Sequence, residues 1–109
     1  MPTYSKNDVL LVRYPFTDLS ETKVRPAIVV HTPHPSKDSI IVPLTSRASS
    51  LLPGEFTLEN WVDAGLNVPS TVKRGIYTIH PSLILRNIGT LSLQDAQSLE
   101  QSLRDWLGL

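Results

Sequence analysis

No cysteine occurs among the 109 residues. Disulfides, thiolate nucleophiles and cysteine-held zinc are therefore excluded, and the absence fits a reducing compartment. Net charge is missing too, since ten Lys and Arg balance ten Asp and Glu. Domains that bind nucleic acid usually carry a basic surplus that displaces counterions. A phosphate-binding surface on this chain must come from the placement of a few cations rather than from bulk charge. No apolar run approaches the roughly 20 residues that cross a bilayer. The opening Met1-Pro2-Thr3-Tyr4-Ser5-Lys6 lacks the apolar stretch of a secretory leader, so a cytoplasmic protein with no membrane partner is expected. There is no glycine-rich phosphate loop, no zinc-binding His-Glu pair and no Gly-x-Ser-x-Gly elbow, which argues against nucleotide-driven and serine-hydrolase chemistry. No dense acidic cluster appears either. Neither a metal nor another cofactor is expected.

What remains is an ordinary globular composition, 40% hydrophobic and 18% charged, of a length that supports one domain over residues 1–109. Asp8-Val9-Leu10-Leu11-Val12-Arg13-Tyr14 reads as a strand closed by Pro15. Val24-Arg25-Pro26-Ala27-Ile28-Val29-Val30-His31 and Ser39-Ile40-Ile41-Val42-Pro43-Leu44-Thr45 read as two more. The proline of the second belongs near a strand start or on an edge, because it cannot donate to the ladder. The polar segments 16–23, 32–37 and 46–50 are expected as loops. Shorter strands are expected over 55–58, 68–72 and 76–79. The end changes period: Ser92 can cap a helix with Asp95 three positions on, as in a capping box. Leu93, Ala96, Leu99, Leu103, Trp106 and Leu107 then form one helical stripe, and Gly108 sits where a helix stops. Short strands with one terminal helix predict a small bent sheet or barrel with the helix packed on it.

Polar residues interrupt the apolar strands at two places. Arg25 stands before Pro26 at the start of the most apolar strand, while Thr45 and Ser46 end the third strand and Arg47 follows. If those strands are neighbours, a guanidinium and two hydroxyls converge at one end of the sheet. Arginine stays charged and its planar fork fits phosphate oxygens. RNA carries its own nucleophile, the 2′-hydroxyl, so a protein that orients it and stabilises charge at phosphorus can cut RNA without metal. Alone, an arginine at a strand edge is usually a solvated residue, and a threonine there usually a turn hydroxyl. His31, His34 and His80 raise the thought of an acid–base pair, but nothing in their spacing brings two together. Trp61, in a polar stretch, is expected in packing or a dimer contact, and Trp106 in the helix stripe.

An ordered set of motifs gives these residues a frame. Asp8-Val9-Leu10-Leu11-Val12, Tyr14-Pro15-Phe16-Thr17-Asp18-Leu19-Ser20 and Lys23-Val24-Arg25-Pro26-Ala27-Ile28-Val29-Val30 resemble the opening of the MazF/PemK-like toxins, endoribonucleases of bacterial toxin–antitoxin systems. Pro43-Leu44-Thr45-Ser46 is similar to their second signature. Ser70-Thr71-Val72, Ile76-Tyr77-Thr78-Ile79 and Ile88-Gly89-Thr90-Leu91-Ser92 are similar to the third. The resemblance spans nearly the whole chain. It implies a mainly β fold with a C-terminal helix, an SH3-like β-barrel of the MazF/PemK/CcdB toxin type, usually a homodimer that binds single-stranded RNA across its two copies. It implies Arg25 and Thr45 as catalytic residues, the first stabilising the phosphorane and the second holding the scissile phosphate. The products would be a 2′,3′-cyclic phosphate and a 5′-hydroxyl. Ser46, Arg47, Thr17, Lys23, Lys73 and Arg74 are the candidate substrate-binding residues, and Arg86 is a further cation near the expected RNA path. A cognate antitoxin whose acidic or amphipathic tail fills the RNA groove is the implied protein partner. Where better-known members carry an Asp-Gln pair, this chain has Arg74-Gly75, which implies altered base recognition or weak cutting; its 16–23 loop is also short, so the family's target sequences do not carry over to it. Two other functions share such a barrel: a CcdB-type poison that binds gyrase, and a non-catalytic RNA- or peptide-binding module. Fold alone does not separate these from a nuclease.

Overall fold

The computed structural model describes residues 4–14, 23–31, 38–46 and 51–109. Of the expected loops 16–23, 32–37 and 46–50, all but Lys23, which begins a strand, and Ser46 lie outside them, as do His34, Thr17 and Arg47. Among the described residues are seven strands: β1 (Asp8–Tyr14), β2 (Lys23–Val29), β3 (Ser39–Thr45), β4 (Phe56–Thr57), β5 (Thr71–Val72), β6 (Tyr77–Ile79) and β7 (Ile84–Thr90). One helix follows, α1 (Leu93–Leu107). All pairings are antiparallel, in the order β4-β5-β3-β2-β1-β7, with β6 also on β3. The described strands do not close into a barrel; β4 and β7 are the two ends of a curled sheet.

The apolar stretches of β1 and β3, and Ala27–Val29 of β2, are continuous because they bury both faces, whereas Lys23, Val24 and Arg25 at the start of β2 are exposed. Along β1, Val9 enters one cluster with Ile28, Val42, Leu44, Leu58, Val72 and Leu99. Leu10, Val12 and Tyr14 point the other way, into a second cluster with Ala27, Val29, Ile41 and Ile79. Alternation on a pleated strand requires this split. The helix covers the first face through Leu99, Ala96 and Leu103. Its predicted stripe is too wide, since Leu93 is 76% exposed and Leu107 45%. Trp61 packs against the same cluster.

The ends of α1 follow the sequence in part. The Ser92 hydroxyl accepts from the Asp95 N–H at 3.1 Å, and Gly108 adopts the left-handed conformation at φ 74. The second half of the expected capping box is absent. The Asp95 carboxylate, 1% exposed, instead accepts from the backbone N–H groups of Glu59 (3.0 Å) and Asn60 (2.9 Å). Asn60 also donates its side-chain amide to Ser92 at 2.8 Å. One buried acid thereby ties the helix start to the connection between β4 and β5.

Two expectations need correction. The strand expected over 68–72 shrinks to Thr71–Val72, with Val68 48% exposed. β7 was not expected at all, although it pairs with β1 along its length. Asp8 anchors that edge, accepting from Asn87 and Thr90 side chains at 2.8 Å each.

Candidate active site

The β2–β3 ladder stops where both strands carry proline. Its last described pairs are Val29–Ile41, Ile28–Val42 and Ala27–Pro43. Pro43 has no N–H to give, and Pro26 follows on the other strand. Pro26 still faces Leu11 on β1, so its missing donor falls where β3 makes no described pair. Carrying the register past Ala27–Pro43 sets Arg25 opposite Thr45, on the same face. The two prolines thus end the pairing and leave a guanidinium and a hydroxyl at the opened end of the sheet.

Arg25 and Thr45 both line two clefts, one on each face. On the helix side, a cleft of about 350 Å³ has Leu11, Pro26 and Leu44 on its floor, with Arg86 on β7 opposite Leu11. Its far wall is Gly65, Leu66, Asn67 and Val68, and Ser46 and Ile88 complete it. The wall depends on glycine. Gly65 has φ +80, and a Cβ there would lie 1.8 Å from the Ile88 carbonyl oxygen; a Cβ on Gly89 would lie 2.4 Å from that of Ala64. Without these glycines the segment could not lie against β7.

The opposite cleft, about 360 Å³, is lined by Tyr14, Lys23, Arg25, Pro43, Thr45, Lys73, Arg74 and Tyr77 among others. Burial pushes the Tyr14 phenol well above its ordinary pKa, Tyr77 adds to the rise, and Arg25 partly opposes it. Tyr14 therefore stays protonated at neutral pH, and it donates to the Pro26 carbonyl at 3.3 Å. That bond holds the backbone next to Arg25.

Charge is where the bulk composition hid it. Lys23, Arg25, Lys73, Arg74 and Arg86, half of the ten Lys and Arg, line the two clefts, and no described carboxylate does. The five are not equivalent. Lys73 pairs with Glu55 at 3.3 Å, and Arg74 donates to the Pro53 carbonyl at 3.1 Å. Among the described residues, no hydrogen bond or ion pair engages the side chains of Lys23, Arg25 or Arg86. Of the expected site residues, the structure gathers Arg25, Thr45, Ser46, Lys23, Lys73 and Arg74. Tyr14, Tyr77 and Asn67 were not singled out from the sequence; a tyrosine after an apolar strand gives no sign of facing a cleft. His80 caps the short 3-10 turn Pro81–Leu83, accepting from the Ser82 N–H, and no described histidine lines either cleft. Among the described residues, no three His, Asp or Glu side chains gather as a metal site, and no helix is long and apolar enough to cross a membrane.

The same architecture recurs in solved toxins. The chain is similar to toxin MazF-mt6 of Mycobacterium tuberculosis, with TM-score 0.74 and 20% identity over 94% of this chain and 97% of that one. It is similar to MazF of Deinococcus radiodurans, with TM-score 0.77 and 20% identity over 97% of each chain. It is also similar to an endoribonuclease of a mycobacterial species solved with its cognate antitoxin, with TM-score 0.74 and 17% identity over 98% of this chain and 97% of that one. No curated protein matches the chain significantly by sequence. A family model for the PemK-like, MazF-like toxins of type II toxin–antitoxin systems matches residues 5–107, and the chain belongs to that family.

Proposed function

We propose that the chain is an endoribonuclease that cuts single-stranded RNA, messenger RNA above all, at selected sequences in the cytoplasm. It would act as one toxin domain, paired as a homodimer and restrained by a cognate antitoxin. One observation carries the reading: Arg25 and Thr45 line the same two clefts beyond the last β2–β3 pair, and those clefts are lined by cations and no described carboxylate. A phosphodiester crossing the end of the sheet would meet both side chains, with its flanking nucleotides in the two clefts.

The chemistry needs little from the protein. The 2′-hydroxyl attacks phosphorus in line, the 5′-oxygen leaves, and a 2′,3′-cyclic phosphate and a 5′-hydroxyl result. Negative charge on the equatorial oxygens peaks in the phosphorane-like transition state. In this reading the Arg25 fork would donate to one of those oxygens and the Thr45 hydroxyl to a second. Tyr14 keeps the Arg25 backbone in place. Ser46 and Lys23 extend the phosphate contacts, while Lys73 and Arg74 contribute mainly potential because Glu55 and Pro53 already engage them. Thr17 and Arg47 complete the proposed substrate set from neighbouring sequence. Exposed Val24 and Leu85, 41% and 44% accessible, are apolar surface available to a second copy.

Incubating the protein with a long single-stranded RNA in EDTA tests this. Discrete cutting is expected to persist in the chelator, and Arg25→Ala and Thr45→Ala to abolish it while staying folded. Cutting that survived both substitutions would refute the site. A wild type that leaves RNA intact but inhibits gyrase would instead establish the poison reading. Sedimentation at micromolar concentration is expected to show a dimer.

A further inference from the structure

We propose that the helix-side cleft holds one unstacked base next to the scissile phosphate and that Arg86, with Asn67, reads it as guanine. The inference rests on the RNA-cutting function proposed above and assigns the base-reading residues of that same site.

The two clefts differ in what they offer. The Tyr14 side carries Lys23, Lys73 and Arg74, cations suited to a backbone of phosphates. The helix side has apolar walls, Leu66, Val68 and Ile88, and two planar polar groups, the Asn67 amide and the Arg86 guanidinium. Apolar walls with a few polar groups suit the face and edge of a base better than a phosphate. Both polar groups are exposed, and among the described residues no hydrogen bond or ion pair engages either side chain. They are thus uncommitted, unlike Lys73 and Arg74. Their placement is also fixed. Arg86 sits on β7 opposite Leu11, and the Asn67 segment is held to β7 by the close approach of Gly65 to Ile88.

The donor pattern selects the base. Arginine presents two parallel N–H groups, which match the O6 and N7 acceptors of guanine. Adenine puts an amino donor where O6 would be, opposite the donors of Arg86. Uracil has no such pair of adjacent acceptors; cytosine has one, N3 and O2, so cuts at cytosine are the competitor from which cuts at guanine must be separated. The Asn67 amide oxygen can accept from the guanine N1–H or N2 amino group. Since Arg25 and Thr45 line the same cleft, the base read there belongs to a nucleotide flanking the cut.

The test is to map every cut in one long RNA for wild type, Arg86→Lys, Arg86→Ala, Asn67→Ala and Arg25→Ala, each shown folded by circular dichroism. Wild type should cut with guanine enriched at one fixed position beside the break. Arg86→Lys keeps the charge but loses the fork, so the ratio of cuts at guanine to cuts at other bases should fall about tenfold, as should that of Arg86→Ala. Asn67→Ala should lower the ratio less. If wild type cuts, Arg25→Ala does not, and the Arg86 variants keep the wild-type ratio, base reading by Arg86 is overturned and the nuclease assignment stands. Absence of guanine enrichment in wild type overturns it equally. An RNA left whole by wild type overturns both.

Discussion

The opened end of β2 and β3 and the seam between α1 and β4 are both rich in charged side chains, yet they are built in opposite ways. At the seam the buried acids have their partners. Asp95 accepts two backbone N–H groups, and Glu55 accepts those of Leu52 and Arg74 while pairing with Lys73. Ser102 donates to the Gly54 carbonyl. At the opened end, Arg25 and Arg86 keep their guanidiniums uncommitted among the described residues, and proline has removed the backbone pairing beside them. Satisfied polar groups hold a structure together, whereas uncommitted ones in a cleft are free to meet a ligand. The contrast predicts a separation: substitutions at Arg25 and Arg86 should change cutting and not stability, and those at Asp95 and Ser92 the reverse, with Lys73 and Arg74 shared between the two places.

The largest effect should come from Arg25→Ala, expected to lower the cutting rate about a thousandfold while moving the urea midpoint within error. A comparable loss of stability would mean that Arg25 is structural and would break the comparison. Asp95→Ala should do the converse, costing about 2–3 kcal/mol of unfolding free energy because the N–H groups of Glu59 and Asn60 lose their buried acceptor. A smaller loss, about 1 kcal/mol, should follow Ser92→Ala, which removes the helix cap. The smallest and most conditional effect belongs to Glu55. The Leu52 N–H holds its carboxyl below the ordinary carboxylate range; burial opposes this, and the Arg74 N–H and Lys73 add to it. On acidification the unfolded chain therefore takes up a proton before the folded one does. The stabilisation is complete above the ordinary carboxylate pKa and is lost as pH falls through the lower folded value. Glu55→Gln should flatten the acid limb of a stability–pH curve; a limb of unchanged steepness would remove Glu55 from the seam.

The sequence showed best what depends on local pattern. Ser39–Thr45 emerges with its predicted bounds, and Leu93–Leu107 with both its caps, because apolar runs and helical spacing report burial directly. β7 escaped notice because Ile-Leu-Arg-Asn-Ile-Gly-Thr is an edge strand, mostly exposed, with two register shifts against β1. Neither an apolar run nor strict alternation survives such irregularity. Asp95 fits a capping box by spacing, but its carboxylate found two N–H groups 35 and 36 positions away. Arg25 and Thr45 could be named because an ordered set of motifs framed them. The wall that carries Asn67 could not, since its position depends on a close contact between Gly65 and Ile88 that no local pattern encodes.

A double-substitution cycle asks most directly whether one phosphodiester meets both side chains. Single-turnover cutting of one RNA would be compared for wild type, Arg25→Ala, Thr45→Ala and the double variant, all in EDTA. If both side chains hold the same transition state, the double variant should be scarcely slower than the worse single one. Losses that simply multiply would mean that Arg25 and Thr45 act at separate places, contrary to the geometry on which the assignment rests.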